Sequence, residues 1–504
     1  MNLLKLPFKT VFLSILLVFV FFSAEAQNGS LDSSFGMNGL TKTSFTNESD
    51  NATCLKVLED DKILVAGYIS TPQLGTRFAI AKYSVDGIID SSFGINGKVT
   101  ILFKNAGAYC TCIGIQQNGK IILGGYILNN RYDFGIARIF PDGKIDSSFG
   151  NNGTAIHDFD FNEDVATTLL VLDNDKILLT GSAYSRDGNV EKFALAQYQP
   201  SGYPDSSFGI NGFLTTDFEG EHFAKGTCAL IQKDNKIIVG GYAYNSNFAK
   251  DFAVIRYRSH GDIDSSFGSF GKSIIDFGYH DNLYAISLQP DGKILVAGNT
   301  EGNSDNDNYI LLAKLTSNGK LDTSFGVDGK FINRPDYDVK VSGMVLKQNG
   351  NFNITGSIFI PHGSYANTDA VVLQYKNNGL LDSTFGNNGK SIQDWGSDLD
   401  NSVAIGIQSS GKIIIAGLWA YPPTFYMNRF NNVDSLQKAY WIGGLDSNWH
   451  NPANWSTGSI PNCYTDVMIN VNTPCSINMP ADCRSITLFP GVIFLVDSNL
   501  NVFQ

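Results

Sequence analysis

The chain has 504 residues and a formal net charge of −12, with 36 basic against 48 acidic side chains. That balance excludes the basic footprint by which proteins hold a nucleic-acid backbone. A composition of 51 glycines, 35 phenylalanines and 21 tyrosines, with only 17% charged residues, describes many short strands joined by tight turns.

Residues 1–26 read as an export signal. Lys5 and Lys9 stand before or beside an apolar run from Val11 to Phe22, and Ala24-Glu25-Ala26 is a small-x-small cleavage site. The run is too short to span a hydrocarbon core of about 30 Å as a helix. No cysteine follows the cleavage site, so a lipid anchor is not expected, and no later segment is apolar enough to cross a membrane. The mature chain is expected to be secreted or at the cell surface after cleavage near Ala26.

Residues 27–436 are built on one repeat. LDSSFGMNG (31–39) opens it, and the motif returns with its aspartates at Asp32, Asp90, Asp146, Asp205, Asp264, Asp322 and Asp382, spaced by 56 to 60 residues. Each copy carries a phenylalanine and a glycine: Phe35 and Gly36, Phe93 and Gly94, Phe149 and Gly150, Phe208 and Gly209, Phe267 and Gly268, Phe325 and Gly326, Phe385 and Gly386. A second motif keeps pace, from KILVAG (62–67) to KIIIAG (412–417). Recurrence at one period takes precedence over any local reading.

Each unit holds four strand-like runs, as in GKSIIDF (271–277), LYAISLQ (283–289), KILVAG (293–298) and YILLAKL (309–315). They are short, rich in branched and aromatic residues, and bounded by Gly, Asn and Asp. Asn118-Gly119, Asp291-Gly292 and Asn349-Gly350 suit two-residue hairpin turns. Four antiparallel strands repeated seven times give an all-β fold, a seven-bladed β-propeller. A column of small residues at Cys54, Cys112, Thr168, Cys228, Ala285, Gly343 and Ala404 fits inner strands crowded toward an axis. After FYMNRF (425–430) the motif decays, and its missing copy stands at residues 28–39. The N-terminal segment is therefore expected to dock on the last strand and close the ring, hiding sheet edges.

The repeated aspartates could be Ca²⁺ ligands, but calcium loops gather several oxygens within about a dozen residues and these loops supply one carboxylate each. The preferred reading is structural: Asp and Ser hold the turn, Phe fills the gap between blades, and a column at Lys82, Arg138, Gln197, Arg256, Lys314, Gln374 and Arg429 partners the aspartates. Lys62, Lys120, Lys176, Lys236, Lys293 and Lys412 read as solvated strand-start residues, with a phosphate ring as the lesser alternative. Cys54, Cys110, Cys112 and Cys228 read as buried thiols. His222 and His280 fall in corresponding loops, a weak pointer to a shared metal. No cofactor is expected, Ca²⁺ being the one ion considered; metal ligands are otherwise unknown, and no catalytic or cofactor-binding residues are assigned.

On this topology the DSSFG connections share one face, which is nearly uniform. The opposite face carries loops that differ from blade to blade, such as YISTPQLGTR (68–77) and NTEGNSDNDN (299–308), with acidic short loops TNESD (46–50), DFNED (160–164) and GSDLD (396–400). Variable loops on a rigid frame are where binding resides. The leading expectation is a non-enzymatic, monomeric binding or adhesion scaffold for a surface glycan, protein or cation, without nucleic acid. The alternative is an extracellular, glycan-active hydrolase or lyase with acidic residues near the propeller axis.

From residue 437 the period is lost, and 437–504 reads as a small Trp- and Gly-rich β module, stacked like a solenoid and stopping mid-pattern. Cys463, Cys475 and Cys483 could form one bridge there, the pair being unreadable from sequence. The LDSSFG-x-NG and Gln-x-Asp-Gly-Lys-Ile-x-Val-Ala-Gly pairing resembles the delta-60 repeat of large exported bacterial proteins, over residues 28 to about 430. The W-x-GG…NW-x-x-G-x-x-P tail is similar to modules of bacterial surface proteins that often precede a type IX secretion sorting domain. The resemblance implies export and no established catalytic residues.

Overall fold

The computed structural model describes residues 27–502, apart from 47, 74, 105, 160–162, 186–189, 219–222, 302–307, 336, 363–364, 397–398, 421–422, 433–436, 444–445, 458–459, 462–464, 470–472 and 490–491. The export signal, His222 and Cys463 lie outside the described residues, as do parts of several loops on the variable face. No helix among the described residues is long and apolar enough to cross a membrane.

Seven four-stranded antiparallel sheets form the propeller. Blades 1 to 6 are continuous segments, 49–101, 107–157, 164–216, 224–275, 280–333 and 339–393; blade 7 joins 400–430 to 40–43. The first strand of each blade lies innermost, and these seven strands touch one another in a closed ring. The sequence unit and the blade differ in phase by one strand. GKSIIDF, the first run of its sequence unit, is the outer strand of the preceding blade, at Lys272–Ile275. Every blade but the seventh therefore borrows its outer strand from the next unit.

Closure follows from that offset. Leu40–Thr43 pairs antiparallel with Pro423–Phe430, Leu40 opposite Asn428 and Thr43 opposite Phe425. The turn that other blades make continuously is here spliced from both ends of the ring. In blade 1, Ser84 N–H bonds Ile88 O and Gly87 N–H bonds Ser84 O; in blade 7, Asn431 N–H bonds Ser30 O and Gly29 N–H bonds Asn431 O, at 2.8 and 2.7 Å.

Each inner strand carries a bulge at one level, over Thr53, Thr111, Thr167, Thr227, Tyr284, Ser342 and Val403. A bulge bends a strand and turns its extra side chain outward. Five of those side chains use a hydroxyl to reach the next blade, including Thr53 to Cys110 O at 2.7 Å, Thr111 to Ala166 O at 2.8 Å and Ser342 to Ser402 O at 2.7 Å. The small column follows the bulge by one residue. Packing there is tight: a Cβ added to Gly124 would lie 2.9 Å from Cys112 Sγ. Cys110, Cys112 and Cys228 are buried free thiols, and burial pushes Cys228 up to about 12.

The hairpin turns differ from the two-residue expectation. Gln116 N–H bonds Lys120 O while Gly119 N–H bonds Gln116 O, enclosing three residues. Only the third needs a positive φ: Gly119 at 78°, Gly292 at 82°, and Asp61 at 61° where glycine is replaced.

Beyond the propeller, the strands pair in parallel, with Asp466 beside Ser485, Cys475 beside Phe494 and Ala481 beside Leu500. The tail tryptophans form its core: Trp455 stands edge-on to Trp441 and Trp449 with ring centroids 4.9 and 4.7 Å away. Cys475 and Cys483 are buried free thiols rather than bridge partners.

Candidate functional site

The repeated DSSFG loops form clasps between blades. In each loop, Oδ1 of the aspartate accepts the hydroxyl two residues on, from Ser34 to Asp32 at 2.7 Å through Thr384 to Asp382 at 2.8 Å. Oδ2 takes cations from two strands of the same blade. Asp146 pairs with Arg138 at 2.8 Å and Lys120 at 2.9 Å, and Asp32 with Arg429 and Lys412, both at 2.7 Å. Asp264 pairs with Arg256 at 2.9 Å, Asp382 accepts Gln374 at 2.9 Å, and Lys176 and Lys293 reach Asp205 and Asp322 at 2.6 and 3.0 Å. Asp90 lies 3.9 Å from Lys82.

The lysine column is therefore not a row of solvated strand starts. Five of its members belong to the clasp, and the two repeat motifs are halves of one device. Lys62 is the exception, pairing with Asp60 at 2.8 Å. Burial opposes ionisation of these aspartates, yet the serine, lysine and arginine partners outweigh it, holding Asp146 and Asp264 down to about 2 and Asp32 lower still.

The clasp then crosses to the next blade. Gly36 N–H bonds Asp86 O at 2.8 Å, and the same bond recurs from Gly94, Gly150, Gly209, Gly268 and Gly386. The buried Phe35 ring fills the space over Gly87, where a Cβ would come within 2.5 Å of it; Phe149, Phe208, Phe267, Phe325 and Phe385 meet Gly202, Gly261, Gly319, Gly379 and Gly29 in the same way. Arg429, whose guanidinium carbon lies 4.9 Å from the Phe35 ring centre, reaches Val85 O at 2.7 Å. Blade 3 departs from the pattern. Gln197 stands where neighbouring blades have arginine, and a cavity of about 330 Å³ opens beside it, lined by Lys176, Ser207, Asn235 and His260.

The opposite rim is organised differently. At blades 1 and 2, Tyr109 stacks on Tyr126 with ring centroids 4.9 Å apart, and Tyr68 and Tyr132 stand edge-on to the pair. All four are half-buried, and burial pushes Tyr126 up to about 12. At blades 3 to 5 the rim is charged. Lys225 lies 3.9 Å from the buried Glu191, while Lys250 pairs with Glu301 and sits 4.9 Å from the Tyr242 ring centre. His280 Nδ1 accepts the Lys250 N–H at 3.3 Å.

Three junctions on this rim gather three aspartates each: Asp133, Asp158 and Asp164; Asp251, Asp276 and Asp281; Asp369, Asp394 and Asp400. Within each group the carboxylates place one oxygen apiece within 4.8 Å of the others. Burial, joined by the charges of Asp251 and Asp276, pushes Asp281 up to about 7 against Lys330; burial and Asp158 push Asp133 up to about 6 against Arg131. Sequence reading reached this rim through its acidic loops but did not assemble the groups.

No curated protein matches the chain. Among solved structures, similarity is found to a streptogramin B lyase (10% identity, 77% of this chain and 97% of that one, TM-score 0.44). It is also found to a catalytically inactive virginiamycin B lyase from Staphylococcus aureus with quinupristin (13%, 77% and 98%, 0.40). An α-L-arabinanase from Penicillium chrysogenum complexed with arabinobiose is similar at 10%, over 64% and 92%, with a TM-score of 0.38. All three likenesses are distant, and the fold rests on the chain's own topology. The family model described as a domain of unknown function (DUF5122) beta-propeller matches residues 58–93, 116–149, 173–208, 232–267 and 289–325. Each match runs from the first hairpin of a blade to its clasp phenylalanine, so the repeat of this propeller is similar to the unit that model describes.

Proposed function

We propose that this protein is an exported, non-enzymatic binding scaffold that presents the rim opposite the DSSFG clasps to a surface glycan. The observation that carries the reading is the half-buried tyrosine group of Tyr68, Tyr109, Tyr126 and Tyr132 at blades 1 and 2. Aromatic faces suit the C–H faces of sugar rings, and phenol hydroxyls meet their polar edges. The charged groups around Glu191 and Glu301 supply acceptors and donors for hydroxyls farther along the rim. Export, to the medium or the cell surface, is supported by the N-terminal pattern and by the resemblance to delta-60 repeats and to surface-protein tail modules.

The test is a glycan array probed with purified protein, followed by Tyr109→Ala and Tyr126→Ala. Glycan retention should fall at least about tenfold in each variant, the scale of a lost aromatic anchor, with the melting temperature nearly unchanged. Retention of no glycan by the parent protein, or equal retention by both variants, refutes the reading.

A further inference from the structure

At three alternate blade junctions the same three positions are aspartate. Asp251 is the second residue of the third strand of blade 4, Asp276 follows its outer strand, and Asp281 lies on the inner strand of blade 5. Asp133, Asp158 and Asp164 stand identically between blades 2 and 3, and Asp369, Asp394 and Asp400 between blades 6 and 7. In every group, two carboxylates come from one blade and the third from the next.

The junction of blades 4 and 5 carries the decisive detail. Asp251 and Asp281 are 5% and 0% exposed. Asp251 Oδ2 accepts Asn245 Nδ2 at 3.0 Å, and Asp281 Oδ2 accepts the Phe277 N–H at 2.8 Å. The Oδ1 atoms of both are buried with no hydrogen-bond partner. A buried acceptor left without a donor costs about 1–3 kcal/mol, more when charged, and here two such acceptors belong to carboxylates that gather with a third. Lys330 and His280 are the positive or titratable groups nearby; Lys330 Nζ is bonded to Asp276 O at 2.8 Å and His280 Nδ1 to the Lys250 N–H.

The closing junction supplies an internal contrast. Asp50, on the inner strand of blade 1, occupies the position of Asp281, but its companions are Ser44 and Thr424. There Asp50 takes the Ser44 hydroxyl at 2.9 Å, the Phe45 N–H at 2.7 Å and the Thr46 hydroxyl at 2.8 Å. Asp50, with hydroxyl companions, is satisfied by the protein; Asp281, with aspartate companions, keeps a buried Oδ1 without a hydrogen-bond partner.

We propose that the three aspartate groups each bind a hard divalent cation of calcium size, bridging blade 2 to 3, blade 4 to 5 and blade 6 to 7. An all-oxygen, all-carboxylate donor set selects Ca²⁺, Mg²⁺ or Mn²⁺ over softer metals. Oxygens spread over as much as 4.8 Å fit around one ion with bonds of about 2.3–2.6 Å, whereas Mg²⁺ at about 2.0–2.1 Å would need them closer. Water and nearby carbonyls would complete the shell. The inference concerns the joints of the frame and does not depend on the glycan reading.

Purified protein stripped with chelator is titrated with CaCl₂ by calorimetry and by thermal melting. Three ions per chain should bind, with a rise in melting temperature of about 5 °C or more at saturation. Asp276→Asn, at the exposed member of its group, should reduce the count to two, while Asp217→Asn, the matching exposed position between blades 3 and 4, should leave three. Asp281→Asn should raise the melting temperature of metal-free protein, by removing a crowded buried charge, and shrink the gain with calcium. No binding of Ca²⁺ up to about 5 mM, above the ~10⁻⁴–10⁻³ M range of extracellular calcium modules, overturns the proposal. So does a count that Asp276→Asn leaves unchanged.

Discussion

On the clasp face, a carboxylate held at each junction meets a serine or threonine hydroxyl and one or two cationic or amide groups, and the arrangement repeats with little change around the ring. On the opposite rim, carboxylates crowd one another, tyrosines are left half-covered, and adjacent junctions differ in chemistry. Both faces belong to the same strands, so the difference is not one of fold. A closed ring needs only one face to hold its blades together. The other is then free to carry polar groups whose partners lie outside the chain.

The comparison breaks most visibly if the clasp face loses its first copy. Deleting residues 28–39 removes the clasp of Asp32 and the spliced turn, so that Leu40–Thr43 loses the segment that seats it on the outer edge of blade 7. The melting temperature should fall by at least about 10 °C; an unchanged value would mean that the ring does not depend on this closure. Acid should act on all clasps at once. Their aspartates titrate below the ~3.9 of an unfolded chain, so the stability they give is complete above about pH 4 and is lost as pH falls toward 2. Melting temperature followed from pH 6 to pH 2 should decline steeply only below about pH 4, and a flat profile to pH 2 contradicts the ion-pair account. A smaller change sharpens the contrast from the other side. Gln197→Arg should let blade 3 pair with Asp205 and fill the adjacent cavity, gaining about 1 kcal/mol in denaturant unfolding; a loss of stability would show that this gap is not an unfilled clasp.

The propeller and its seven blades were legible because the repeat recurs through nearly the whole chain, and every copy states the same strand order. The pairing of Asp146 with Arg138 was also readable, since both columns keep step with the period. Lys120 was misread because a lysine after a turn is usually solvated, and only the tertiary curl of the hairpin brings it to Asp146. The bulge hydroxyls of Thr53 and Thr111 lay one residue from the small column that drew attention. Strand alternation alone gives no sign of a residue that leaves the register. The aspartate groups were hidden for another reason: their members come from three strands in two blades. Their one sequence trace is a doubled period, Asp133, Asp251 and Asp369 standing two units apart, which a search at the single period overlooks.

The spliced turn of blade 7 also governs the order of events during folding. Gly29, Ser30 and Asp32 are made early, yet their partners Asn431 and Arg429 are made some four hundred residues later. Blades 1 to 6 are local in sequence and can assemble as they are synthesised, while the ring cannot lock until nearly the whole propeller has emerged. A chain rearranged so that residues 28–43 follow Asn432 directly would make blade 7 local like the others. Its final folding step should be faster, with the finished ring unchanged.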